Sequence, residues 1–349
     1  MSTTKIEHYL QQCISRRKIP GAVCLIAKNK KIVLEHAFGW AQRIPRKSSM
    51  TKDTIFDLAS LTKPIATASL TLILYERKML KLTDRVEYYL PEFRYRPNHQ
   101  VDIKQLLTHT SGLPAWFPLY IVPAADRIKF LADINTGKQN VLYSCLGYIL
   151  LGMIIEKITG QDLAISFKEF IANPLSLLTM RFGPINSNNV AVAENGNKHE
   201  AGMAKKYTDK LPRNWRSKLI KGTVHDGNAY YAFNGVAGNA GLFSTAKDIL
   251  KFLFALPAGK LIKPSTCKLM IKDHTGGAEK RGLGWIINPY PGILSKQAYY
   301  HTGFTGTMAG VDPVKKLIII LLANAIHPRV QLNIMRPIRK QIVRLAADL

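Results

Sequence analysis

The chain has 349 residues, 47% hydrophobic and 21% charged, a composition that excludes a disordered or low-complexity protein and supplies a large core. Its formal net charge of +26 would draw nucleic acid, anionic polymers or lipid surfaces. The basic residues are spread along the whole chain, however, with no Gly-aromatic RNA motif or zinc finger, so dedicated nucleic-acid binding is not expected and a solvated basic surface is.

The four cysteines, at 13, 24, 145 and 267, are too far apart for a zinc site and include no C-x-x-C pair, so reduced thiols are expected and neither metal nor cofactor is implied. The N-terminus MSTTKIEHYLQQCISRRKIPG lacks the continuous apolar core of a signal peptide. The longest apolar runs, at 70–75 and 317–326, are too short to cross a bilayer. A cytoplasmic protein with no transmembrane segment is the expectation, or a periplasmic or cell-wall-facing one if the sequence was trimmed.

In chain order, residues 5–17 have the spacing of an amphipathic helix, broken by Pro20-Gly21. AVCLIAKNKKIVLEHAFGWA then reads as two strands around a polar Lys-Asn-Lys-Lys turn, a hairpin. From Ile65 to Arg77 the pattern is helical, and DIKQLLTHTSGLP at 102–114 reads as a short helix ended by a turn. LGYILLGMIIEKITG predicts a helix closing on Gly160 as its C-cap. Residues 183–240 are rich in Gly, Asn and Pro and predict long loops.

TAKDILKFLFAL predicts a further helix after Ser244. GLGWIIN, QAYYHTG, TMAGVDP and KLIIILLANA then read as short antiparallel strands, and a basic amphipathic helix spans about 330–347. Strands at both ends with helices between predict an α/β fold: one antiparallel sheet built from the two termini, flanked by helices, with a mainly helical lobe inserted. The expected division is 1–85 with 235–349 for the sheet lobe and 86–234 for the helical lobe.

One stretch carries chemistry. Six segments fit S-x-x-K, beginning at Ser2, Ser15, Ser49, Ser60, Ser244 and Ser265, so the spacing alone says little. It matters where the serine opens a helix, because the lysine three residues on then shares its face and can take the hydroxyl proton. Lysine is a poor base at its ordinary pKa, so burial or a neighbouring cation has to depress it. Ser60 in DLASLTKPIAT fits that geometry, with Pro64 near the end of the first turn. Locally it reads equally well as a plain helix cap, and for Ser244 the cap is the better reading.

The rest of the sequence breaks this tie. IPGAV, DLASLTKPIAT, LLTHTSGLP, YSCLGYILLG, VHDGNAY, GVAGNAGLFSTAKD and HTGFTGT together resemble the serine β-lactamase and penicillin-binding-protein superfamily, in particular its class C β-lactamase-like esterases and peptidases. The resemblance runs through nearly the whole chain and implies the β-lactamase/transpeptidase-like fold. It implies Ser60 as nucleophile, Lys63 as its base and Tyr143 as the residue that shares the proton and returns it to the leaving group. The third element of the family maps to His301, Thr302 and Gly303, and the oxyanion donors to the N–H groups of Ser60 and Phe304.

Two departures stand out. Cys145 replaces the side-chain amide that contacts the substrate's acylamide in β-lactamases and DD-peptidases, and a thiol is a weak partner. His301 replaces the usual lysine and is only partly charged near neutral pH. Both changes point toward simple esters or amides. The expected function is an esterase-like serine hydrolase acting on a small ester or amide; the alternatives are a DD-peptidase or β-lactamase, and an idle binding protein that holds an anionic polymer or lipid.

Each site residue also has a plain structural reading: Tyr143 as a core tyrosine, His301 as a strand histidine, Cys145 as a small buried hydrophobe or, beside a lysine, a reactive thiol. His109 reads as a structural hydrogen-bonder, Asn239 as a site-edge residue and His225-Asp226 as a loop-stabilising pair. No G-x-S-x-G, H-E-x-x-H, P-loop or dinucleotide motif offers a competing chemistry.

Overall fold

The computed structural model describes residues 3–134, 137 and 140–349. Helix α1 (Thr4–Ser15) buries Ile6, Leu10 and Cys13 on one face, the three-to-four spacing of an amphipathic helix. Strands β1 (Gly21–Lys28) and β2 (Lys31–Gln42) follow. Between them Asn29 and Lys30 take φ of 51° and 64°, the two-residue turn that matches the twist of a hairpin.

Short strands β3 (Ser48–Ser49) and β4 (Phe56–Asp57) lead into a helix of mixed winding. A 3-10 turn, Ala59–Leu61, passes into a π-helical stretch, Lys63–Ala68, and then into α2 (Ser69–Glu76). The helix expected from Ile65 therefore begins earlier and starts wide. Side-chain hydroxyls hold the wide turns open: Ser69 Oγ donates to Pro64 O of the same stretch at 3.0 Å and Thr67 Oγ1 to the distant Gly238 O at 2.7 Å. Such local unwinding is typical of functional sites.

The middle of the chain holds α3 (Ile103–Thr108), α4 (Arg127–Asp133), α5 (Cys145–Thr159) and α6 (Leu163–Phe167). Asp102 and Gln105 form a reciprocal capping box on α3, and α5 ends on Gly160 at φ 68°, as the sequence predicted. Between 183 and 240 the described structure is mostly loop, with α7 (Lys198–Ala204) the α-helix in it; β5 (Arg181–Phe182) precedes it and β6 (Leu242–Ser244) follows.

Helices α8 (Ala246–Ala255) and α9 (Pro264–Met270) then lead to β7 (Ile286–Ile287), β8 (Tyr299–Thr302), β9 (Met308–Asp312), β10 (Leu317–Ala323) and α10 (Met335–Ala347). The strand expected over 282–288 shrinks to two residues, because Gly284 takes φ 97° and bends the chain out of the sheet. The last helix begins at Met335, later than expected: Pro337 is tolerated only in a first helical turn.

The main sheet is antiparallel in the order β3-β2-β1-β10-β9-β8-β7. The two termini meet at its centre, with Val23 opposite Leu322. Strand β1 is a continuous apolar run because both its faces are covered. Ala22, Cys24 and Ile26 pack with α1 and α10, whereas Val23, Leu25 and Ala27 join the main core around α2, α5 and α8. A second sheet, β4-β6-β5, fixes the segment that runs into Ser60.

Candidate active site

The chain enters the helix of Ser60 through a clamp. Buried Asp57 accepts the Ala59 N–H on Oδ1 at 2.8 Å and the His225 N–H on Oδ2 at 2.7 Å. Ala59 is held at φ 46°, a left-handed conformation that costs an alanine about 1–2 kcal/mol. That strain turns the backbone so that Ser60 sits in the first helical turn and Lys63 one turn on.

Lys63 is fully buried. Its Nζ donates to Ser60 Oγ at 3.0 Å, to Asn239 O at 3.1 Å and to Cys145 Sγ at 3.4 Å, acceptors that make a buried ammonium tolerable. The Tyr143 side chain faces both Lys63 and Ser60, and its ring centre lies 5.0 Å from Nζ. The structure thus gathers Ser60, Lys63, Tyr143 and Cys145 at one point.

The depressed lysine pKa expected from the sequence is not found. Burial works to lower it, but Cys145, Tyr143 and the more distant Asp226 carboxylate hold it up, at about 12. Burial likewise raises the Tyr143 phenol, with Lys63 pulling the other way. The Cys145 thiol is pushed up by burial, and the same lysine pulls it the other way.

Tyr143 is seated by its neighbours. His109, in the left-handed position that ends α3, accepts the Ser144 N–H on Nδ1 at 3.0 Å and packs its ring 4.6 Å from that of Tyr143. Burial, then the charges of Arg281 and Lys63, holds His109 well below the ordinary histidine range, so it orients and does not titrate. Ser144 caps α5, accepting from Gly147 N and donating to Pro114 O, which places Cys145 at the first turn against Lys63.

From the other side comes β8. His301 is buried, with Nδ1 hydrogen-bonded to Thr302 O at 2.9 Å. Burial and the positive charge of Arg281 keep it neutral, so it supplies no cation. Gly303 follows at a crowded point where a Cβ would meet Thr307 Oγ1 at 2.1 Å and Leu58 O at 2.4 Å. Thr305 and Thr307 donate to Asp57 O and Leu58 O, tying the turn that carries Phe304 to the segment that carries Ser60. Phe304 is half exposed, its ring stacked on His225 and His199.

Ser60, Tyr143, His301, Thr302, Gly303 and Phe304 line a cavity of about 470 Å³ that extends along residues 325–339. Arg281, Arg336 and Arg339 line it too. These arginines were missed in the sequence. With Lys+Arg at 49, nothing local marks the ones that turn inward.

The rival S-x-x-K segments are not assembled. Ser244 is buried on β6 and bonds to Thr245 O, while Lys247 reaches outward to Asp53 and Glu35. Ser49 lies on the exposed strand β3, Ser15 closes α1 and Ser265 is exposed on α9; Ser2 lies outside the described residues. His225 pairs with Glu194 at 2.9 Å and Asp226 accepts from Asn239 and Ala229, a loop-holding network as expected. Asn239 sits behind Lys63 at the edge of the site.

The chain is 30% identical to the N-acetylmuramyl-L-alanine amidase of Bacillus subtilis (strain 168), over 93% of this chain and 81% of that protein. It is 32% identical to a protein of Escherichia coli (strain K12) named "Putative D-alanyl-D-alanine carboxypeptidase", over 88% and 79%. Among solved structures, EstCE1, a hydrolase with promiscuous acyltransferase activity, has the same fold, with TM-score 0.76 and 23% identity over 99% of this chain and 98% of that one. The family model described as Beta-lactamase matches residues 6–343, and the chain belongs to this family of serine hydrolases.

Proposed function

We propose that the protein cleaves an ester or amide through a covalent acyl-serine at Ser60. One observation carries the reading: a fully buried lysine donates to Ser60 Oγ at 3.0 Å, beside Tyr143, at the wall of a cavity. The Lys63–Tyr143 pair, in the form that has lost one proton, takes the Ser60 proton as Oγ adds to the carbonyl carbon. The N–H groups of Ser60 and Phe304 hold the oxyanion; its collapse breaks the bond to the leaving group, which leaves with the proton from Tyr143. Water then adds to the acyl carbon and returns Ser60.

Within this reading the substrate sits between the sheet lobe, 1–85 with 235–349, and the helical lobe, 86–234; Tyr143 is the residue of the second lobe that lines the cavity. The thiol of Cys145 in the amide's place favours small esters. Turnover of p-nitrophenyl acetate by the wild type and its loss in Ser60→Ala test the proposal; equal rates in the two proteins overturn it.

A second reading, cleavage of peptidoglycan-type peptides, is favoured by the names of the two curated relatives. Among the described residues no helix is long and apolar enough to cross a membrane. A periplasmic or cell-wall-facing location, with the basic surface against an anionic polymer, goes with this second reading. Release of D-alanine from a D-alanyl-D-alanine peptide would favour it over the first.

A further inference from the structure

Three separate segments bring lysines to one end of the main sheet. The β1–β2 turn carries Lys28, Lys30 and Lys31, and the β9–β10 turn carries Lys315 and Lys316. The Asn29 N–H donates to Lys316 O at 3.0 Å, so the two turns are joined. Beside them Lys30 lines an open groove of about 680 Å³ with Lys251 of α8 and Lys260 of the loop after it. Among the described residues none of Lys28, Lys30, Lys31, Lys260 and Lys316 has an ion pair. The acids of these segments, Asp312 and Asp248, are buried. Asp312 accepts the Ser295, Val314 and Lys315 N–H groups, and Asp248 holds Thr179 and pairs with Lys251. In both turns a lysine, Lys30 at φ 64° and Lys316 at φ 50°, takes the left-handed position that glycine or asparagine fills with less strain.

The same end exposes apolar side chains. Ile32 and Val33 follow the first turn and Val314 sits in the second, each at least 42% exposed. Leu178 is 81% exposed, on a loop pinned to α8 on either side of it: Lys251 Nζ donates to Ser176 O and the Thr179 N–H to Asp248 Oδ2. Leu175 and Phe254 line the groove between the lysines. A hydrated polyanion would match the cations and gain nothing from these side chains. A lipid surface matches both, because its headgroups carry the charge and its acyl boundary takes the apolar tips.

We propose that this end of the sheet docks the protein on an anionic lipid bilayer, with the lysines against the headgroups and Ile32, Val33, Val314 and Leu178 in the boundary beneath them. The contact is peripheral, and the proposal is independent of the chemistry at Ser60.

Co-sedimentation with vesicles tests it, using phosphatidylcholine alone and phosphatidylcholine with about 30% phosphatidylglycerol, at about 0.1 M salt. The full chain is expected to bind the anionic vesicles at least about tenfold more tightly. Lys30→Gln with Lys31→Gln and Lys316→Gln should weaken that binding about tenfold or more, and Ile32→Ser with Val314→Ser and Leu178→Ser about fivefold or more. The control, Lys205→Gln with Lys206→Gln and Lys210→Gln, removes three lysines from another loop and should stay within about twofold of the parent. Every substituted position is exposed, so the variants keep the fold. Equal binding to both vesicles, no binding to either, or a control that loses as much as the first triple would overturn the proposal, the last by showing only the diffuse charge of the whole chain. Unchanged binding by the serine triple would overturn it in favour of a purely electrostatic surface for a polyanion.

Discussion

Nζ of Lys63 lies 3.0 Å from Oγ of Ser60, one helical turn along the same segment, with no solvent exposure of the lysine. On the proposed reading this contact makes the serine more than a cap. Replacing Lys63 by methionine keeps the buried volume and removes the proton partner. An ester kcat/KM lower by about 10³-fold, with a melting temperature within a few degrees of the wild type, is expected. Steady-state assays with thermal melts check it.

The pH profile follows from the same cluster. Lys63 is held up at about 12, Tyr143 is raised by burial, and His109 and His301 are held well below the ordinary histidine range. No histidine step should appear between about pH 6 and 7, and kcat/KM on a neutral ester should climb through the alkaline range as the shared proton is lost. A profile with a plateau above an inflection near pH 6.5 would point to a histidine base instead.

Asp57 acts at one remove from the chemistry. It holds Ala59 at φ 46° and the His225 loop at once. In Asp57→Asn the amide NH₂ opposes one of these N–H donors, at a cost of about 1–3 kcal/mol. The expected result is a lower melting temperature and a kcat reduced about tenfold or more, with KM little changed, because Ser60 is mispositioned rather than the pocket reshaped.

The cysteines should be silent in the folded protein. All four are free, and burial is the leading cause that raises each thiol, Cys145 included. Iodoacetamide at about pH 8 should label the native chain hardly at all and the denatured chain four times, as counted by intact mass. Rapid native labelling of Cys145 would contradict the raised thiol described here.

Glu200 gives a stability test. Burial, reinforced by Asp226, raises its carboxyl from 4.5 to about 8, and its Oε1 has no partner among the described residues. Between those two values the folded chain holds a proton that the unfolded chain has lost, so stability falls as pH rises through the window and is flat above it. Glu200→Gln removes that loss: its melting temperature should exceed the wild type's by several degrees near pH 9 and match it near pH 5. Equal melting curves near pH 9 would show that Glu200 is not held neutral.

Much of this was legible in the sequence, for physical reasons. The Asn29-Lys30 turn is announced by apolar runs on both sides of a polar stretch, and Gly160 ends its helix because only glycine takes that conformation freely. Ser60 and Lys63 share a face by helical geometry alone. The π-winding after Ser60 was not legible, since it depends on acceptors such as Gly238 O, 171 residues away. Nor was the charge state of Lys63, which is set by Cys145 and Tyr143 arriving from another segment. Arg281 was hidden among many exposed cations, and only its burial sets it apart.

The central claim is that Ser60 is an armed nucleophile, and covalent trapping tests it most directly. Intact mass should be recorded after incubation with a small phosphonate that reacts with activated serines, for the wild type and for Ser60→Ala. One adduct on the wild type and none on the variant is the predicted result. An unmodified wild type, or an adduct that persists in Ser60→Ala, would contradict the account.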